Sequence, residues 1–117
     1  MPHLIFECSD EIKSKLPFKQ IFIELHQMLS DLLPTQISSC KSRVFPYSQY
    51  LVGDDESKLF IHLTIKILPG RTTETKSKAS ERVLELLKQV INDLRITNIS
   101  ISVEVLDLSV SYLKDII

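Results

Sequence analysis

With 117 residues, 44% of them hydrophobic and 25% charged, the chain is long enough for one domain with a single core, and two glycines with five prolines argue against a long disordered linker. A net charge of −1 gives no electrostatic case for nucleic acid or an anionic membrane, and no apolar run approaches the roughly 18 residues of a membrane span. Cys8 and Cys40, like the scattered His3, His26 and His62, lack metal-ligand spacing, while sparse cysteine and the lack of a visible secretory signal point to the cytoplasm.

The chain opens MPHLIFECSD. Proline cannot donate a ladder hydrogen bond, so Pro2 is tolerated at a strand start rather than useful there. A small penultimate residue generally permits removal of Met1. Pro2 would then carry a free secondary amine on a rigid ring. Residues 3–8 alternate as a strand, with Leu4, Phe6 and Cys8 on one face and His3, Ile5 and Glu7 on the other. Ser9 and Asp10 supply turn or capping chemistry. From Leu16 to Leu33 the period becomes helical. Ile21, Leu25, Met28 and Leu32 form the stripe, with Phe18, Phe22 and Leu29 beside it. Pro17 suits a first turn and Pro34 ends the pattern.

Residues 39–47, SCKSRVFPY, return to period two, and Pro46 marks an edge or a strand end. Lys41, Arg43 and Phe45 take one face; Cys40, Ser42 and Val44 take the other. GDDESK (53–58) is a polar connection. LFIHLTIKI (59–67) is the clearest strand, with Leu59, Ile61, Leu63, Ile65 and Ile67 together on one face. LPGR (68–71) is a turn. Thr72 or Thr73 caps a second helix that runs to about Leu94, with Val83, Leu87, Val90, Ile91 and Leu94 as its stripe, and Glu74 suits its N-terminal end. ISISVEV (99–105) alternates as a last strand. The tail, SVSYLKDII, is apolar enough to dock, for example on a neighbouring subunit.

The order is therefore β-α-β twice over, about 1–50 and 51–117. Strands joined by a helical crossover are parallel. The fold class is α/β (α+β): a four-stranded sheet with both helices on one face. The other face, carrying Phe60, Thr64, Ser100 and Ser102, stays uncovered, which predicts self-association.

Three stretches carry a family resemblance. MPHLIFECSDEI fits P-H-x-I-x-E-C-S after the initiator Met, SCKSRVF is similar to a strand usually written R-S-R-V, and FIHLTIKILPGR fits H-x-T-x-K-I-x-x-G-R. Together, in order, they resemble the 5-carboxymethyl-2-hydroxymuconate Δ-isomerase family of the tautomerase superfamily, over nearly the whole chain. The resemblance implies a tautomerase-like domain over residues 1–117, a homotrimer, and no metal or organic cofactor. It also implies an isomerase that moves a proton in a carboxylated dienol, with Pro2 as general acid or base and a small-molecule carboxylate as substrate. The remaining readings are a tautomerase of phenylenolpyruvate type and a non-catalytic binding protein of the same fold. Proteins like macrophage migration inhibitory factor share that fold, but their C-x-x-C is absent here.

Physical chemistry agrees with the implied role. A proton carrier works best with a pKa near operating pH, and burial or neighbouring cations lower that of an amine. Arg71, Lys41 and Arg43 are candidate cations and candidate ligands for substrate carboxylates. Arg71 also precedes a helix N-terminus, which favours anions. Lys41 departs from the family by standing where the first Arg of R-S-R is expected, which keeps the charge but loses the planar fork. Arg43 serves equally well as a structural partner for a carboxylate. His3 and His62 read as packed, hydrogen-bonded strand residues, His26 as helix surface and Cys8 as a small buried residue.

Overall fold

The computed structural model describes residues 1–117. The elements run β1 (His3–Ser9), α1 (Asp10–Lys13), α2 (Phe18–Leu32), a 3-10 turn (Ile37–Ser39), β2 (Lys41–Tyr47), β3 (Leu59–Ile67), α3 (Thr73–Asp93) and β4 (Ile99–Asp107). The sheet order is β2-β1-β3-β4. β1 is parallel to β2 and β3 is parallel to β4, as two crossover units require. The two units meet through antiparallel pairing of β1 with β3, which sets His3 opposite Lys66 and Cys8 opposite Ile61.

The alternation seen in the sequence decides which face is buried. Leu4, Phe6 and Cys8 of β1 and Ile61, Leu63, Ile65 and Ile67 of β3 are buried under the helices. Ile21, Leu25 and Leu29 of α2 meet them, with Ala79, Val83, Leu87 and Ile91 of α3. Each large apolar side chain so buried stabilises the fold by about 1.5–3 kcal/mol. Phe6 also meets Phe18 edge to face, with ring centroids 5.2 Å apart.

Several local expectations are corrected. The buried line of α2 advances by fours, Ile21–Leu25–Leu29, while Met28 and Leu32 lie beside it, only partly covered. Pro17 is the N-cap of α2 rather than a first-turn residue. Ser9 precedes a short extra helix, α1, but its hydroxyl does not cap it; it accepts the Phe60 N–H at 2.8 Å instead. His26 is not simple helix surface: it is half-buried, stacks on Phe22 and contacts the Ser42 hydroxyl at 2.7 Å. In α3 the cap is Thr72, whose hydroxyl accepts the Thr75 N–H at 3.1 Å. The helix closes at Asp93, and Leu94 is an exposed C-cap. Gly70 has φ of +121°, a left-handed conformation that turns the chain from β3 toward α3 with little penalty for glycine.

The opposite sheet face has no helix over it. It carries His3, Ile5 and Glu7, Lys41, Arg43 and Phe45, and the alternate residues of β3 and β4 from Phe60 to Lys66 and from Ser100 to Leu106. No helix is long and apolar enough to cross a membrane, and no group of three or more His, Cys, Asp or Glu residues is placed to hold a metal ion.

Candidate active site

Pro2 enters the fold at the head of β1, between β2 and the end of β3. Its ring is buried, and its carbonyl accepts the Lys41 N–H at 3.0 Å, which extends the parallel ladder by one residue. With Met1 attached the Pro2 nitrogen is a tertiary amide and binds no proton. The Met1 ammonium reaches the Thr35 hydroxyl at 3.4 Å. Its pKa is held below the ordinary 8.0, first by burial, then by the Arg71 guanidinium. Lys114 and Lys41 push it the same way, and a Cys40 thiolate would push against them.

Arg71 comes from the turn that Gly70 makes possible. It is half-buried, and its guanidinium donates to the Leu33 carbonyl at 2.7 Å and to the Leu68 carbonyl at 3.3 Å. Leu33 is the C-cap of α2, where carbonyls lack helical partners and the helix dipole favours a cation. Arg71 is therefore fixed by the end of α2, not by the start of α3 beside which the sequence places it. Five N–H donors on a guanidinium leave some free for a ligand.

Lys41 is exposed at the start of β2, in register with His3. Arg43, one pleat further along, is exposed and donates toward His3 Nδ1 at 3.1 Å. It has no carboxylate partner. Pro2, Lys41 and Arg71 thus come to one corner of the sheet, and Arg43 joins it through His3. Three further residues at this corner were not among the sequence candidates. Lys66 faces His3 across the β1–β3 pair, Tyr112 bonds His3, and Lys114 contacts Met1. Lys66 is the lysine of the H-x-T-x-K-I-x-x-G-R motif but reads there as a strand residue, and the other two lie in the tail, which carries no motif. His3 is drawn below its ordinary pKa of 6.5 by burial and by Arg43, Lys41, the terminal ammonium and Lys66.

The largest concavity, about 570 Å³, lies elsewhere, in the groove between α2 and α3 lined by Ile23, Met28, Leu32, Arg82 and Leu86. It holds no histidine, cysteine or lysine. The cationic corner at Pro2 is open in the single chain.

The sequence profile of the 5-carboxymethyl-2-hydroxymuconate isomerase family matches residues 2–115. The chain belongs to that family. An Escherichia coli 5-carboxymethyl-2-hydroxymuconate Delta-isomerase is 30% identical over 89 residues, which cover 75% of this chain and 71% of that protein. Among solved structures, a 5-carboxymethyl-2-hydroxymuconate isomerase from Deinococcus radiodurans R1 superposes with a TM-score of 0.83 at 20% identity, over 97% of this chain and 88% of that one. A fused 4-OT described as a symmetric trimer gives 0.68 at 13% identity, over 95% and 91%. This member of the 5-carboxymethyl-2-hydroxymuconate isomerase family is thus an isomerase built on the tautomerase fold.

Proposed function

We propose that this isomerase moves a proton within a carboxylated dienol such as 5-carboxymethyl-2-hydroxymuconate, with Pro2 as acid and base once Met1 has been removed. The observation that carries this reading is the cationic corner around the chain start. Burial and cations already lower the terminal amine there. The freed Pro2 amine faces the same influences one residue further in. An ordinary α-amine sits at about 7.7–8.0 and a secondary amine higher, so such a reduction moves Pro2 toward neutral pH, where a proton carrier is most effective.

In the mechanism, the neutral Pro2 nitrogen takes the proton from the enol oxygen or from the donor carbon. The electron pair shifts along the conjugated system, and the Pro2 ammonium returns the proton to the accepting carbon. No oxidant or reductant is involved. Arg71 and Lys41 hold carboxylates and offset the charge that develops on the enolate oxygen; Arg43 stands next in line as a carboxylate ligand. The corner lacks an outer wall, and the sheet face beside it is uncovered. A homotrimer, with the open faces turned inward, supplies both.

The decisive comparison is between protein with Met1 retained, verified by mass, and the same protein after enzymatic removal of Met1. Ketonisation of a dienol should appear only after removal. Equal rates before and after would refute Pro2 as the proton carrier. Light scattering should report three copies; a stable monomer at micromolar concentration would remove the trimer.

A further inference from the structure

The segment after β4 forms neither strand nor helix, and its apolar side chains Val110, Leu113, Ile116 and Ile117 are almost fully exposed. It is nevertheless tied down. Beyond Leu108, whose N–H bonds the Ile67 carbonyl, two polar side-chain contacts tie it to the Pro2 corner. The Tyr112 hydroxyl is 2.9 Å from His3 Nε2, and its ring stands edge-on to the imidazole at 79°. On the far side of that imidazole, Arg43 Nη1 is 3.1 Å from Nδ1. A guanidinium cannot accept, so Nδ1 must be the acceptor and Nε2 carries the proton. His3 then donates to the Tyr112 oxygen, which leaves the Tyr112 O–H free to donate outward. Two residues on, Lys114 Nζ stands 2.9 Å from Met1 Sδ. The Lys114 ammonium is thus in contact with the side chain of the residue joined to the Pro2 nitrogen.

We propose that Lys114 is a specificity-determining residue of the isomerase site, binding a second carboxylate of the substrate, and that Tyr112 is the positioning residue that holds it there through His3 and Arg43. This rests on the Pro2 reading above. Loss of Met1 opens the space between Pro2 and Lys114 to substrate. Arg71 and Lys41 take one carboxylate near the reacting carbons, and Lys114 takes another at the distance of the vacated side chain. Lys114 thereby sets how strongly the site favours a second carboxylate on the enol.

The test uses Met1-free protein as the parent, with Lys114→Ala, Lys114→Arg and Tyr112→Phe, and Glu104→Gln as a control outside the corner. Two measurements are made: ketonisation of a dicarboxylate and of a monocarboxylate enol, and calorimetric binding of adipate, a saturated dicarboxylate. Losing a charge-assisted contact should raise KM for the dicarboxylate and Kd for adipate about 10-fold in Lys114→Ala, with kcat and the monocarboxylate KM within about 2-fold. Lys114→Arg should restore both. Tyr112→Phe should raise the dicarboxylate KM about 3-fold, a smaller loss because the cation remains but its anchor weakens. Glu104→Gln should match the parent. Unchanged dicarboxylate KM and adipate Kd in Lys114→Ala would overturn the proposal, as would a parent that binds no adipate. If adipate binding depends on Lys114 while catalysis proves independent of Pro2, the inference stands and the Pro2 reading falls.

Discussion

The uncovered sheet face has two ends, and each holds a histidine clamped between strands. At the end where β1 starts, His3 sits among cations and bonds Arg43 and Tyr112. Further along, His62 bonds the Ser102 hydroxyl at 2.7 Å and the Glu104 carboxylate at 3.1 Å, and Tyr47 donates to Glu7 at 2.7 Å. The second region has its donors and acceptors matched within the chain. The first has surplus positive charge: among Lys41, Lys66, Arg71 and Lys114, none has a carboxylate in contact, whereas nearby Asp107 is already held by Lys76 at 3.2 Å. The same face and the same residue type therefore give a closed polar network at one end and an anion-binding corner at the other. What decides between them is whether the neighbouring strand brings a carboxylate or a cation.

The sharpest way to break the contrast is to remove the anchored cation. Arg71→Ala should cost about 10²–10³ in kcat, the usual loss for one charge-stabilising donor, and Arg71→Lys should recover only part because the fork is lost. Steady-state kinetics checks this, with thermal melts alongside, since Arg71 also satisfies the Leu33 and Leu68 carbonyls. Lys41 is exposed and offers a point charge without a planar fork, so Lys41→Ala should lose about 10-fold in kcat/KM, equivalent to about 1.4 kcal/mol, whereas Lys41→Arg should keep or improve KM on a dicarboxylate dienol. Equal kcat/KM for Lys41→Ala and the parent would reduce Lys41 to a surface residue. At the matched end, His62→Gln should leave catalysis intact and cost about 1 kcal/mol or less in stability, because its partners are largely exposed.

The smallest effect concerns pH. The folded pKa of His3 lies below the unfolded value of 6.5, so below that value the unfolded chain binds a proton that the folded chain refuses. Stability should fall as pH drops from about 6.5 toward the lowered folded value. His26 is lowered as well, but by burial alone. Melting curves from pH 7.5 down to 5 should show a shallower decline in either His→Gln variant. Added salt should weaken the His3 share, part of which comes from neighbouring cations, and leave the His26 share unchanged, because salt screens charges and does not relieve burial. A salt-insensitive His3 share would remove the cations from the account of this corner.

Periodicity carried most of the fold. The alternation of HLIFEC and LFIHLTIKI named the buried faces of β1 and β3, the helical stripes named Ile21, Leu25, Val83, Leu87 and Ile91, and the cap of α3 was narrowed to Thr72 or Thr73. These signals are local: a face is set by spacing along one element, and a cap by groups a few residues apart. Met28 and Leu32 were misplaced because periodicity names a broad apolar face and cannot say which edge of it a neighbouring helix leaves bare. The family motifs singled out Pro2, Lys41, Arg43 and Arg71, and the fold brings them to one corner.

What the sequence by itself determined is the four strands and two long helices, the faces they bury and the twofold β-α-β plan, while the family motifs offered the four candidate site residues. Tertiary structure alone decided that β1 and β3 pair antiparallel at the centre of the sheet, and with that the neighbours of the chain start. The pairing sets Lys66 opposite His3 and ends β4 beside the same corner, so that the tail brings Tyr112 to His3, 109 positions away in the chain, and Lys114 to Met1. No local pattern encodes such contacts. They follow from which strand edges meet, and that is settled by burying the apolar faces of both halves in one core.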